Sequence, residues 1–140
     1  MATTIAAVTI DCAHPETLAE FWSAVLALRV TDSGINSDGT RYVEIGPSGT
    51  ERGHRDTLLF EQIADGAPKT AKNRLHIDLD PGGADPAAEV RRVIALGARR
   101  VAVGQSGEEP WTVLADPEGN EFCVLHRDPD PAREVENPSC

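Results

Sequence analysis

The chain contains an imperfect internal repeat, and that repeat restricts its possible folds more than any other feature. Val8-Thr9-Ile10-Asp11 aligns with Ile77-Asp78-Leu79-Asp80, and each segment leads into a helix start, His14-Pro15 in the first copy and Asp85-Pro86 in the second. The spacing differs by two residues, which Gly82-Gly83 accounts for. Proline suits a first helical position because its missing N–H is an unpaired donor there in any case. Leu18, Phe21, Trp22, Val25 and Leu26 recur at helical spacing and give the first helix one apolar face. Val90, Val93, Ile94 and Leu96 do the same for the second, with Asp85 as its N-cap and Gly97 as its terminator.

Alternating patterns between turn signals place the strands. In the first copy they are Ile5 to Cys12, a segment near Val30-Thr31, Arg41 to Ile45 and Thr57 to Ile63. In the second they are Arg74 to Asp80, Arg99 to Val103, Trp111 to Ala115 and Glu121 to Leu125. A polar loop is expected from Gly46 to about Arg55. Each half therefore reads strand, helix, then three strands, which is α+β with two βαβββ modules. Module one covers about residues 4–64 and module two about 73–127, within one domain over 1–127. Residues 128–140 read as a flexible, acidic, proline-containing tail.

Charge and cysteine content narrow the partners. Thirteen basic residues stand against 23 acidic ones, a formal net charge of −10. Such a chain is poorly suited to neutralising phosphates, so nucleic acid and anionic membrane surfaces are not expected partners. No apolar run approaches the ~20 residues of a membrane span, and a secretory signal ahead of the first strand is not expected. The three cysteines, Cys12, Cys123 and Cys140, show no C-x-x-C spacing. They suit free thiols in a reducing cytoplasm.

Strand alternation also assigns faces. Leu75, Ile77 and Leu79 form the apolar side of their strand, so Arg74, His76 and Asp78 point the other way. Thr9 and Asp11 share a face with Ala7. Glu121, Cys123 and Leu125 share another, and Trp111 and Val113 a third. Trp111, Val113 and Leu125 with a few polar neighbours have the composition of a small-molecule pocket. His76 is a candidate general base and Glu121 a second candidate catalytic group. Thr9, Asp11, Arg74, His76, Asp78, Trp111 and Cys123 are the candidate substrate-binding residues. Lys69, Lys72 and Arg74 read either as an anchor for an anionic group or as a solvated linker. Trp22 reads as core, and Cys123 as a small buried hydrophobe rather than a nucleophile.

Two such modules resemble the vicinal oxygen chelate superfamily, which includes glyoxalase I, bleomycin-resistance proteins, fosfomycin-resistance enzymes and extradiol dioxygenases. The segments that carry the resemblance to its glyoxalase-like branch are Lys69-Thr70-Ala71-Lys72-Asn73-Arg74-Leu75-His76-Ile77-Asp78-Leu79 and Trp111 to Leu125, with its turn Asp116-Pro117-Glu118-Gly119-Asn120. The resemblance covers about Ile5 to His126. It implies mixed curved sheets forming an open half-barrel cavity with helices outside, and a homodimer. It also implies that the metal-ligand positions of the metal-dependent members fall on Ala7, His76 and Cys123. Alanine cannot coordinate an ion. One imidazole and one thiol do not suit Mg²⁺, Mn²⁺ or Fe²⁺, whereas zinc accepts both but requires a third protein ligand. Asp11, Asp78 and Glu121 are the open choices for that ligand.

The expectation is therefore a protein that binds a small organic molecule without the full metal site and without a resident cofactor. The alternatives are a metal-dependent lyase, isomerase or dioxygenase with an ion held partly by His76, and metal-free acid–base catalysis by His76 and Glu121. Glyoxalase I turnover is expected to be negligible, because Ala7 removes a ligand from the ion that would stabilise an enediolate.

Overall fold

A computed structural model describes residues 2–48 and 56–126. The end of the expected loop after Gly46 and the expected tail at 128–140 lie outside the described residues. The chain divides into two units. The first holds Met1–Ala71 with Asp116–Gly119, and the second Lys72–Ala115 with Asn120–Cys140.

In the first unit, β1 (Val8–Cys12) is followed by α1 (Pro15–Leu26), β2 (Arg29–Ile35), β3 (Arg41–Gly46) and β4 (Leu58–Gln62). The sheet order is β1-β4-β3-β2, with β1 parallel to β4 and the other pairs antiparallel. The parallel pair is possible because a helix carries the chain over from β1. The apolar face of α1 packs on this sheet and buries Leu18, Phe21, Trp22 and Val25 with Ile45 and Phe60. The helix ends at Ala27, whose φ of 54° is left-handed although the residue is not glycine.

The second unit repeats the plan with β5 (Ile77–Leu79), α2 (Pro86–Leu96), β6 (Arg99–Arg100), β7 (Trp111–Ala115) and β8 (Glu121–Leu125). The order is β5-β8-β7-β6, again with one parallel pair. Val90 and Val93 of α2 are buried, as are Leu114, Phe122 and Val124 on the sheet face beneath. Asp85 caps α2 by accepting the Ala88 N–H at 3.0 Å. The architecture is thus α+β with two mixed four-stranded sheets, neither closed into a barrel.

Four strands are shorter than their hydrophobic patterns predict, β4 by one residue at each end. β1 starts at Val8 rather than Ile5, because its ladder with β4 starts at the Val8–Leu58 pair. β5 starts at Ile77 rather than Arg74, because its ladder with β8 starts at the Ile77–Phe122 pair. Leu75, expected beneath the helix, is instead 87% exposed in a bend. β6 stops at Arg100 rather than Val103. There the Gln105 side chain takes the backbone groups a longer ladder would use, accepting from Val103 N at 2.6 Å and donating to Val101 O at 2.7 Å. Among the described residues no helix is long and apolar enough to cross a membrane.

Candidate metal centre and substrate pocket

β8 supplies the floor of the site by simple alternation. Phe122 and Val124 point under α2, so Glu121, Cys123 and Leu125 face the opposite side. Ladder register extends that side across three strands. Cys123 has Asp78 as its partner on β5 and Val113 on β7, while Leu125 partners Trp111. His76 stands one residue before β5 and two before Asp78, so it lies on the same side. These residues, with Lys72 and Val103, line a pocket of about 340 Å³ that belongs wholly to the second unit.

Three metal-binding donors converge in this pocket. One ligand atom each from His76, Asp78 and Cys123 lies within 4.8 Å of the other two. Among the described residues this is the only such group of three or more histidine, cysteine or acidic side chains. His76 Nε2 is 3.2 Å from Asp78 Oδ1, with the two side chains 42% and 51% exposed. Cys123 is 8% exposed. Burial raises the pKa of the Cys123 thiol, and the Asp78 carboxylate, which is hydrogen-bonded to it, raises it further. Lys72 acts in the opposite direction, as a cation near the sulfur should. Ligands of a tetrahedral ion with bonds of about 2.0–2.3 Å stand roughly 3.3–3.8 Å apart, so a small closing movement brings the three into range.

Asn73 positions the segment that leads into β5. Its N–H donates to Glu121 Oε2 at 3.1 Å, and its side-chain amide donates to Asn120 Oδ1 at 3.0 Å. This holds the residues between Lys72 and His76 against the end of β8. Sequence reasoning missed Asn73, because a single asparagine in a polar linker carries no periodic signal.

The other predicted site residues divide. Trp111, Glu121 and Cys123 line the pocket together with His76 and Asp78. Lys72, from the cationic run, lines it too, whereas Arg74 sits exposed in the bend and is not part of the wall. Thr9 and Asp11 stand exposed on β1 of the first unit. A wider concavity of about 900 Å³ runs along α1 and β2 in that unit, but its described walls hold no histidine and no cysteine.

The model of the glyoxalase-like domain family matches residues 7–125. No curated protein sequence matches the chain significantly. Among solved structures, the fosfomycin resistance protein FosX from Mesorhizobium loti is similar with a TM-score of 0.65 at 14% identity, over 97% of this chain and 100% of that one. The trypanothione-dependent glyoxalase I of Leishmania major gives 0.65 at 14% identity, over 96% and 92%. A mutant form of FosX from Listeria monocytogenes, crystallised with Mn(II) and 1S,2S-dihydroxypropylphosphonic acid, gives 0.65 at 11% identity, over 97% and 100%.

These findings correct the expectation of a protein without a cofactor. Ala7 removes one ligand position, but of the three open choices for a further ligand the structure brings Asp78 to the other two donors. Asp78, the ladder partner of Cys123, provides a third donor beside His76, and a structural relative carries manganese. With a family match over most of its length and two βαβββ modules in its fold, the chain belongs to the glyoxalase-like domain family of the vicinal oxygen chelate superfamily.

Proposed function

We propose that the protein is a metal-dependent enzyme that acts on a small organic substrate in the pocket of its second unit. The convergence of His76, Asp78 and Cys123 in a cavity walled by Val103, Trp111, Val113 and Leu125, with Lys72 and Glu121 as its other charged groups, carries this reading. These three side chains would hold the ion. When bound, it would act as a Lewis acid on a substrate oxygen.

The remaining wall residues have separable tasks. Trp111, Val113 and Leu125 exclude water from the apolar part of the substrate. Lys72 attracts a carboxylate or other anionic substituent. Glu121 offers a carboxylate to accept a proton from the substrate, and its bond from Asn73 fixes its orientation. The reaction class is that of a lyase, isomerase or dioxygenase. A homodimer in the cytoplasm belongs to the same proposal and is supported by the family resemblance and the acidic, free-thiol composition.

Elemental analysis tests the reading. Protein exposed to a mixture of divalent ions and then desalted should retain about one ion per chain, as expected for a single site. His76→Ala should lose that ion with an unchanged circular dichroism spectrum. A wild-type chain that retains no zinc, manganese, nickel or cobalt overturns the proposal.

A further inference from the structure

We propose that the resident ion is zinc, bound through the thiolate of Cys123, and that the chemistry is accordingly non-oxidative. This rests on the functional reading above, which requires only that some divalent ion is held by these residues. The donor set is one imidazole nitrogen, one carboxylate oxygen and one sulfur. Magnesium and manganese prefer six oxygen-rich positions, and the three converging donors include one carboxylate. Zinc is satisfied by three protein ligands of mixed nitrogen, oxygen and sulfur type, leaving a fourth position for substrate or water.

Charge admits zinc as it admits any divalent cation. A thiolate and a carboxylate carry two negative charges and cancel a divalent cation, so the complex enters a partly buried site with little net charge to desolvate. Position supports zinc. Asp78 and Cys123 are partners in a β-ladder rather than neighbours on a loop, so the sulfur is a fixed part of the set. A buried sulfur, 8% exposed, within 4.8 Å of the imidazole and carboxylate suits zinc better than manganese.

The consequence is a narrower reaction class. Zinc has no accessible redox change, so it cannot pass electrons to oxygen. Of the three classes left open, dioxygenase chemistry is removed. Lyase and isomerase chemistry remain, in which the ion polarises a carbonyl, hydroxyl or epoxide oxygen.

Cobalt(II) is the probe, used on the chelator-stripped full chain in a Cys140→Ser background. The expected result is a near-ultraviolet thiolate-to-cobalt charge-transfer band with intense tetrahedral visible bands, saturating at one equivalent and bleached by zinc. Cys123→Ser should lose the charge-transfer band and bind zinc more than about a hundredfold more weakly, beyond the range for residues that only support a ligand. X-ray absorption at the zinc edge of the wild-type protein, which needs no variant, should show one sulfur at about 2.3 Å. Cobalt bound without the band, a band that survives in Cys123→Ser, a zinc shell without sulfur, or manganese held as tightly as zinc each overturns the zinc assignment while leaving a metal enzyme. Failure of the wild-type chain to bind any ion overturns both.

Discussion

The indole Nε1 of Trp22 donates a buried hydrogen bond to Oδ2 of Asp116 at 3.1 Å, joining α1 to the turn that precedes β8. Asp116 is fully buried, and its other oxygen accepts the N–H of Glu118 at 2.9 Å. Removing the carboxylate therefore strands a buried indole donor and loosens the turn. Asp116→Ala should cost about 2–3 kcal/mol in urea denaturation, given roughly 1–3 kcal/mol for an unsatisfied buried donor. Asp116→Asn keeps an acceptor and should cost about half as much. Equal costs for the two would mean that packing, not hydrogen bonding, holds Asp116.

Glu118 of the same turn fixes the entry to α1. Its Oε1 accepts the N–H of Ala13 at 2.7 Å and its Oε2 that of His14 at 2.9 Å. His14 is the N-cap residue, yet its side chain makes no cap bond. Asp85 accepts a first-turn N–H of α2, whereas Glu118 holds the two residues that lead into α1 and places negative charge at the positive helix end. Glu118→Ala should destabilise by about 1–2 kcal/mol, as for loss of hydrogen bonds to a charged acceptor, and Glu118→Gln by less. Hydrogen exchange at Ala13 and His14 should accelerate in both variants.

Much of this fold is legible in the sequence, because β7 and β8 alternate without interruption and the two helix starts carry proline. β7 and β8 run as their patterns predict, from Trp111 to Ala115 and from Glu121 to Leu125. The pattern fails where hydrophobic alternation continues past the last ladder partner, as at Leu75 and Val103. Residue type marks His76, Asp78 and Cys123 individually as pocket candidates. Their convergence depends on Asp78 being opposite Cys123, a pairing between distant segments that no local spacing reveals. Glu118 and Asn73 are hidden for another reason: each reads as an ordinary turn or linker residue, and only tertiary contact gives its side chain a task.

The two helices end differently, and this gives a stabilising substitution. α2 ends at Gly97, with φ of 127°, whereas α1 ends at Ala27 with φ of 54° and ψ of 40°. A Cβ in the left-handed region meets the following carbonyl, costing roughly 1–2 kcal/mol. Glycine removes that clash but loses more chain entropy on folding. Ala27→Gly should therefore raise stability by up to about 1 kcal/mol, seen as a higher denaturation midpoint with an unchanged slope.

The loop before β7 contains an acid-sensitive carboxylate. Glu109 accepts the N–H of Ser106 at 2.7 Å, the Ser106 hydroxyl at 3.0 Å and the N–H of Gly107 at 2.9 Å. The Ser106 N–H foremost, with these other donors, lowers its pKa from 4.5 to about 2. A folded-state pKa below the unfolded one means that the ionised form favours the ordered loop. That contribution is fully present above about pH 4.5 and is lost as pH falls through about 2. Carbon-detected NMR titration should find Glu109 ionising near pH 2, and Glu109→Ala should remove the protection of the Ser106 and Gly107 amides at neutral pH, whereas Glu109→Gln, which keeps one acceptor, should weaken it.

The protein's two tryptophans occupy opposite environments, which makes fluorescence a direct probe of the pocket. Trp22 is 1% exposed in the first unit, while Trp111 is 40% exposed on the pocket wall beside Leu125. Iodide should quench Trp111 alone, so the remaining emission of Trp111→Phe should be nearly insensitive to it. Removing a side chain this exposed should change stability by no more than about 0.5 kcal/mol. Cobalt bound by His76, Asp78 and Cys123 shares the pocket with Trp111 and should quench its emission, and Trp111→Phe should lose most of that effect while keeping its cobalt affinity. Equal quenching in wild type and Trp111→Phe would place the ion away from the Trp111 wall, outside the pocket that these three donors define.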